Sequence, residues 1–314
     1  MKLALDVLTA CAFRPQGTVV ALLRTLAAAL AAAAVAGGLA LLPGSSAAAA
    51  GSSLPPASAS AAESGVELRL SFAPSDVRRY AYDLHAAFDA PELGEFAMDV
   101  AMLLVYQVLE VHPDASATVR MSVDRATISL LGQTEDVPGV AGIAVRTRLQ
   151  PNGSVTEAFL ETDSADPTAL AGAEAFARGL LALEYPAAPL MVGDSFERQV
   201  HLNTPNLPGQ FLPLALQSRI TLEELAVVEG RQVARLSETT AMPLPPMAPT
   251  PDVELSGHLS GAGTHYVDVE SGWPLAGDAS VAMTMVASSL DGAGPDGAGS
   301  ITLTSAWTSS YRLE

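Results

Sequence analysis

The strongest constraint on the fold of this chain is an alternation of apolar and polar residues that recurs along most of its length beyond Val66. A period of two is typical of half-buried β-strands. Turn-forming sequences separate the runs, and Pro151-Asn152-Gly153 between two alternating runs is a strong hairpin signal. The pattern predicts a mainly β protein. The predicted strands are 66–72, 79–88, 95–111, 118–130, 143–149, 155–160, 195–202, 218–228, 232–241, 253–268, 277–288 and 300–312.

One segment, residues 167–184, departs from this period and predicts a helix. Asp166 and Pro167 are residue types that favour the N-cap and the first helical position. Apolar residues then recur at i, i+4 and i+7, namely Phe176, Leu180 and Leu183. Pro186 ends the pattern. We expect this helix to pack on the sheet and to divide the strands into two sets.

The two sets of strands resemble diverged copies of each other. Each contains a hairpin whose second strand carries an arginine, Arg120 in the first set and Arg235 in the second. Each then has a turn with glycine, at Gly153 and Gly272. One interpretation is an internal duplication, with curved antiparallel sheets in two related halves (about 65–162 and 192–314) of one domain, 65–314. The other is a meander whose hairpins are merely alike.

The first fifty residues have the organisation of a targeting segment. Arg14 and Arg24 precede seventeen residues, Leu26 to Leu42, that are only Leu, Ala, Val and Gly. The small residues Ala47 to Ala50 follow. A basic region, an apolar region and a small-residue site predict a secretory signal peptide, cleaved near Ala49 or Ala50. The alternative is an uncleaved anchor helix. Residues 51–64, rich in Gly, Ser, Pro and Ala, are predicted to form a flexible linker.

The charge of the chain excludes several classes of partner. The 314 residues include 16 basic and 34 acidic ones, a net charge of −18. Residues 1–50 hold three basic residues and one acidic residue, so the remainder has 13 basic and 33 acidic residues, a net charge of −20. Such a chain is not expected to bind nucleic acid or an anionic membrane surface. Its one cysteine, Cys11, excludes intrachain disulfides and multi-cysteine zinc sites.

The sequence contains no clear catalytic or metal-binding motif. Ser195 is not in a Gly-x-Ser-x-Gly sequence. His258 and His265 lack the companions at close spacing that a metal site needs. Glu223-Glu224 with Glu238 would suit glycoside chemistry, but aromatic residues, on which sugars stack, make up only 5% of the chain. We therefore expect a protein without enzymatic activity, bound metal or cofactor.

Strand 95–111 is apolar on both of its faces at its centre. Met98 and Met102 fall on one face, while Leu103 and Val105 fall on the other. An antiparallel strand with one wet face should alternate cleanly, so we expect the helix, a loop, the other half-sheet or a ligand to cover the second face. Methionine suits adaptable apolar pockets. The residues predicted to line an apolar cavity are Met98, Met102, Leu104, Tyr106, Phe176, Leu180, Met283 and Met285. The alternative is an ordinary filled core.

A proline-rich segment from Pro243 to Pro251 has five prolines in nine residues. It predicts an extended loop, or a stretch that binds a protein partner in a polyproline conformation.

Over roughly residues 78–290, the chain resembles uncharacterised exported bacterial β-proteins. Three stretches carry this resemblance: Tyr185 to Pro189, Gly193-Asp194-Ser195, and Gly261 to Leu275. More distantly, the layout is similar to the lipoprotein-carrier fold of LolA and LppX, whose unclosed curved sheet holds lipid. This resemblance implies a non-catalytic protein of the periplasm, the cell envelope or the extracellular space that binds or carries an apolar or lipidic ligand. The alternative function is a structural or protein-interaction module of the envelope.

Overall fold

The computed structural model describes residues 58–59, 65–90, 94–130, 133–136, 144–161, 183–205, 211–250, 253–289 and 300–314. Within these ranges the chain forms thirteen strands and no helix. The strands are β1 (Ser58–Ala59), β2 (Val77–Ala90), β3 (Gly94–Val111), β4 (Ala117–Leu130), β5 (Gln133–Asp136), β6 (Ala144–Leu149), β7 (Val155–Glu161), β8 (Ser195–Pro205), β9 (Phe211–Val228), β10 (Arg231–Thr250), β11 (Val253–Asp268), β12 (Pro274–Ser289) and β13 (Ser300–Leu313).

All thirteen strands belong to one antiparallel sheet. Its order is β1-β9-β10-β11-β12-β13-β2-β3-β4-β6-β7, with β8 also paired to β9 and β5 to β4. The prediction of a mainly β protein with antiparallel pairing is confirmed, but the strands form one sheet and not two. β2 and β13 meet at its middle, where Tyr82 pairs with Tyr311. Strands β2 to β7, which precede the predicted helix, therefore extend to one side of this seam, and β8 to β13, which follow it, extend to the other. The short β1 is the exception, because it precedes the predicted helix but pairs with β9.

The sheet curls strongly at one end. Leu70 N donates to Pro151 O in the β6–β7 turn at 2.6 Å, and Ser71 N donates to Ser271 O in the β11–β12 turn at 2.8 Å. These two carbonyl oxygens therefore lie within about 9 Å of each other. The nearest strands of the two turns, β12 and β6, are five strand spacings apart, which would be about 24 Å if the sheet were flat. The sheet thus encloses one of its faces, which we call the inner face.

Two extended segments, residues 65–72 and 183–190, cross this curled end, and we call them the crossing segments. They pair with each other through Val66 and Leu190, whose N–O distances are 2.7 and 2.8 Å. The prediction that 66–72 is a strand of the sheet is therefore wrong. Its alternation arises because an extended segment laid over an apolar end also buries every second residue, here Val66, Leu68 and Leu70.

Several predictions fall on residues outside the described ranges. They are the signal peptide (1–50), most of the linker and the helix from 167 to 182, which includes Phe176 and Leu180. Of the linker, Ser58 and Ala59 pair with Val227 and Ala226 of β9. The predicted end of the helix, Leu183 and Glu184, is not helical, because Tyr185 N donates to Asn152 O in the β6–β7 turn instead. Among the described residues there is no helix that could span a membrane.

The proline-rich segment is a strand and not a loop as far as Thr250, and Pro251 lies outside the described residues. β10 pairs with β9 only up to Thr240, opposite Ser218, whereas its pairing with β11 continues to Thr250 with two register shifts. Pro243 therefore lies where one edge of β10 has no partner strand among the described residues, and proline is tolerated at strand edges and bulges.

Candidate ligand-binding interior

The inner face brings together six of the eight residues predicted to line an apolar cavity. Met98 and Met102 of β3 and Met283 and Met285 of β12 are all buried in one continuous apolar cluster. Leu104 and Tyr106 of β3 belong to the same cluster. The remaining two, Phe176 and Leu180, lie outside the described residues. β3 and β12 are separated by β13 and β2, so this apolar lining spans the centre of the sheet.

The outer face of β3, opposite the inner face, is partly exposed to solvent. The expectation that both faces of this strand are covered is therefore wrong for the described residues. Ala101 is exposed, and Leu103 and Val105 are half-buried. Arg125 of β4 stands opposite Leu103, and Arg79 of β2 stands opposite Val105. The long aliphatic stems of arginine can shield apolar neighbours while the charge stays in water, so this face needs no second layer. Any apolar ligand therefore belongs on the inner face.

Aromatic side chains fill the curled end of the inner face. Tyr80 makes edge-to-face contacts with Tyr106 and Tyr311, with ring centroids 5.3 and 6.2 Å apart. Tyr80 Oη donates to Pro274 O at 2.9 Å, and Tyr185 Oη donates to Gly272 O at 2.7 Å. Burial raises the pKa of Tyr80 and of Tyr185 well above the usual range, so both phenols stay neutral donors. The phenols of Tyr80 and Tyr185 at this end are therefore both paired.

A chain of four buried polar side chains runs across the inner face beside the aromatic cluster, and we call it the polar chain. Arg198 Nη1 lies 3.4 Å from Glu238 Oε1, and Glu238 Oε2 lies 2.9 Å from His265 Nε2. His265 Nδ1 lies 3.1 Å from Tyr311 Oη. Each of the four residues is less than a tenth exposed. They come from β8, β10, β11 and β13, so the polar chain ties together strands from β8 to the central seam.

The geometry of the polar chain depends on Gly277 of β12. Tyr311 lies on β13, and His265 lies on β11, one strand further away. Gly277 lies between them in register, and a Cβ at this glycine would be 2.5 Å from the ring of Tyr311. The phenol can therefore lie flat across β12 only because position 277 has no side chain.

Electrostatics keeps the carboxylate of Glu238, within the polar chain, ionised. Burial alone would raise the pKa of Glu238, but the charge of Arg198 and the hydrogen bonds from His265 and Ser218 outweigh it and lower that pKa below its ordinary value. The pKa of Tyr311 is raised well above its ordinary value, first by burial. Arg198 and Glu238 thus form a buried pair whose charges cancel.

The sequence did not predict this arrangement. It offered Glu238 only for glycoside chemistry and His265 only for a metal site. A weak signal was present, because Glu238 follows the apolar Leu236 by two residues and His265 precedes Val267 by two. Each residue therefore lies in phase with the buried side of its strand. The register between β8, β9, β10 and β11, which makes them neighbours, is not encoded in a local pattern.

Two further polar side chains point into the apolar half of the inner face. Ser305 and Trp307 of β13 are buried, and neither Ser305 Oγ nor Trp307 Nε1 has a hydrogen-bond partner among the described residues. Ser305 is flanked in register by Met283 and Phe88. Buried donors are nearly always paired in folded proteins, so this pair requires an explanation.

The other residues weighed for chemistry do not come together. Ser195 Oγ lies 2.9 Å from Thr221 Oγ1. His258 is exposed, whereas His265 is fully buried, so the two histidines do not share a site. Glu223 accepts a hydrogen bond from Ser237 at 2.6 Å. Within the described ranges, no group of three His, Cys, Asp or Glu side chains is placed to hold a metal ion.

Neither a protein-family model nor a curated protein matches the sequence. Among solved structures, the chain is similar to one described as "Lipid-protein interactions in lipovitellin", with 12% sequence identity and a TM-score of 0.41. The similarity covers 77% of this chain and 25% of the other, so the chain spans about a quarter of the length of that protein. A similarity this low assigns no ligand or activity.

Proposed function

We propose that the protein binds and carries an apolar or lipidic ligand inside the curled sheet, without catalysing a reaction. The observation that carries the proposal is the sheet itself, a continuous path of eleven strands with an apolar inner face. The interior of a sheet that curls on itself widens as the number of strands grows, and at about eight strands it can already hold one small ligand. Within the described residues only the crossing segments lie over the inner face, and they do so at one end.

The ligand is placed in the half of the interior away from the crossing segments. The aromatic cluster and its hydrogen bonds close the other end. Met98, Met283 and Met285 lie beyond the aromatic cluster along their strands, and their unbranched thioether side chains can adapt to ligands of different shape.

A pair of single substitutions on β12 tests this placement. Met283 faces inward and is buried, whereas the adjacent Thr284 faces outward and is exposed. Met283→Gln keeps the length of the side chain but introduces an amide into the apolar lining, which costs about 1–3 kcal/mol when it is unpaired. We expect it to weaken the binding of a fluorescent long-chain probe at least several-fold, while Thr284→Gln leaves the binding unchanged.

A second experiment, on the wild-type protein, can contradict the proposed function. Extraction of the protein purified from its native host, followed by mass spectrometry, should release a lipid. A protein that releases none and also binds no fluorescent long-chain probe would contradict the proposed function.

We further propose that the protein is exported to the periplasm, the cell envelope or the extracellular space. The basic and apolar organisation of residues 1–50 supports this. Mass spectrometry of the N-terminal peptide from bacterial culture should find a mature chain that begins directly after Ala49 or Ala50. Recovery of the intact N-terminus in the membrane fraction would instead indicate an uncleaved anchor.

The two halves are proposed to derive from one duplicated unit, and matched contacts at two turns support this. Tyr185 N donates to Asn152 O, and Ser71 N donates to Ser271 O. In each case a crossing segment binds the residue before a glycine of positive φ in a hairpin turn. Each crossing segment binds the turns of both halves, since Leu70 N also donates to Pro151 O and Tyr185 Oη also donates to Gly272 O. This matched arrangement suits two related units.

The alternative function is an envelope module that binds a protein partner and has a filled core. The exposed Pro243 and Pro246, on the stretch of β10 without a β9 partner, favour this possibility. It predicts that a partner is captured by the wild-type protein and lost when Pro243 to Pro251 is replaced, with no lipid in the purified protein.

A further inference from the structure

We propose that Ser305 and Trp307 recognise the carbonyl oxygen of an ester in the bound lipid, so that the ligand is a neutral acyl ester. This inference rests on the proposed function and specifies the class of ligand. It starts from the two buried donors, Ser305 Oγ and Trp307 Nε1, that have no partner among the described residues.

The two residues that carry these donors are neighbours on one face of β13 and share one environment. They lie two residues apart on the same face of β13, which places their Cα atoms about 7 Å apart. In register, Ser305 is flanked by Met283 and Phe88, and Trp307 is flanked by Val281 and Ala86. All four neighbours are apolar and buried. Ser305 and Trp307 are therefore two polar residues within an otherwise apolar lining. This arrangement matches a lipid that has one polar group within an apolar chain.

The chemistry of the donors determines what the ligand must supply. The indole N–H of Trp307 only donates, so its partner must be an acceptor. A carbonyl oxygen has two lone pairs and can accept from the indole and from the hydroxyl of Ser305 together. A pure hydrocarbon would leave both donors unpaired, and a buried unpaired donor is costly.

The charges of the interior favour an ester over a free fatty acid. A buried carboxylate needs a cation or several strong donors. Among the described residues, Arg198 is the arginine buried on the inner face, and it lies 3.4 Å from the carboxylate of Glu238, which already balances its charge. Ser305 and Trp307 are both neutral, so they suit a neutral acceptor.

The test compares three probes of equal chain length on the full chain freed of lipid: methyl palmitate, palmitate and hexadecane. Binding is measured by equilibrium dialysis of the radiolabelled probes. The variants are Ser305→Ala and Trp307→Phe, each of which removes one donor and keeps most of the volume. Ser309→Ala is the matched control, since Ser309 is also buried on β13 but its hydroxyl is hydrogen-bonded to Tyr82. Circular dichroism verifies that each variant is folded.

We expect the wild-type protein to bind methyl palmitate more tightly than palmitate. Each donor variant should weaken methyl palmitate binding between about threefold and tenfold, the effect of one net hydrogen bond. Hexadecane binding should be unchanged in both, and Ser309→Ala should leave the ester affinity unchanged.

The possible failures are distinguishable. If no probe binds the wild-type protein, the proposed function fails and this inference fails with it. If all three probes bind but the donor variants do not discriminate among them, or if palmitate binds more tightly than its ester, the ester inference is overturned while the proposed function stands.

Discussion

Gly153 lies so close beneath Leu183 that a Cβ on the glycine would be 2.1 Å from the carbonyl oxygen of Leu183. Gly272 has the same relationship to Arg69, also at 2.1 Å. Both glycines have positive φ, 87° and 68°. At these two points the crossing segments rest on the backbone of the hairpin turns, so the curl of the sheet depends on the absence of two side chains.

Replacing Gly153 or Gly272 with alanine should therefore destabilise the protein strongly. Positive φ alone costs an alanine about 1–2 kcal/mol, and the clash with a backbone oxygen adds to this by pushing the crossing segment off the turn. Urea denaturation measures the loss. Gly230→Ala is the control, because Gly230 also has a positive φ of 81° but has nothing within 4 Å of its Cβ position. Equal losses for all three variants would contradict the steric argument.

The pair of Arg198 and Glu238 should be strongly coupled. Arg198→Met leaves the carboxylate of Glu238 buried without its cation, and we expect a loss of about 3–5 kcal/mol in the free energy of unfolding. The double variant Arg198→Met with Glu238→Met should lose much less than the sum of the single variants, because no buried charge is left unpaired. A double-mutant cycle measures the coupling.

The exposed pair of Arg235 and Glu224, 3.9 Å apart, provides the comparison for that cycle. Both side chains are more than two-fifths exposed, so removing either should change the free energy of unfolding by about 0.5 kcal/mol or less. Additive effects at Arg198 and Glu238 would show that the buried pair is not coupled.

The lowered pKa of Glu238 should make the protein acid-labile. A carboxyl whose pKa is lower in the folded state than in the unfolded state contributes stability that is complete above the unfolded pKa, about 4.3. This stability is lost as the pH falls from there through the folded pKa. Glu238→Gln removes the titration, so the midpoint of urea unfolding should fall less steeply below pH 4.3 in the variant than in the wild type. Parallel profiles would mean that Glu238 does not contribute.

Ser305→Ala should cost the ligand-free protein no stability. The hydroxyl of Ser305 is buried and unpaired among the described residues, so its removal gives up no hydrogen bond and is expected to stabilise the protein by up to about 1 kcal/mol. Ser309→Ala breaks a hydrogen bond to Tyr82 and should cost about 1 kcal/mol. Thermal unfolding of both variants gives the comparison. A loss at Ser305 as large as that at Ser309 would indicate that its hydroxyl has a partner.

Local patterns were sufficient to predict most of the strands. The alternation through Met98 and Met102 predicts β3, and the turn at Asn152-Gly153 predicts the β6–β7 hairpin, because period and turn chemistry are properties of neighbouring residues. The same reasoning failed for residues 66–72, which alternate without joining the sheet. It also failed for the prolines of β10, because a missing neighbour on one edge is not visible in sequence.

The candidate site could be predicted only in part, because it depends on register and curl. The buried side of β3 followed from its alternation, but its outer face was misjudged, since Leu103 and Val105 are half-buried beside arginines of other strands. The contact of Glu238 with His265 depends on how β10 aligns with β11, and the reach of Tyr311 depends on Gly277. These relationships are set by the whole sheet and leave no local signature.

The central seam of the sheet has a consequence for how the chain reaches this state. Thr304 pairs with Asp89 and Leu313 with Tyr80, so the partners in the β2–β13 ladder are 215 to 233 residues apart in sequence. During synthesis, β2 has no β13 to pair with until nearly every other strand has been made. Contacts between residues so distant in sequence also form slowly. Until then the two flanks of the sheet have open edges at β2 and β12, where a chaperone or another unfinished copy can pair. The step that joins β2 to β13 is therefore also the one that removes these two edges from misassembly.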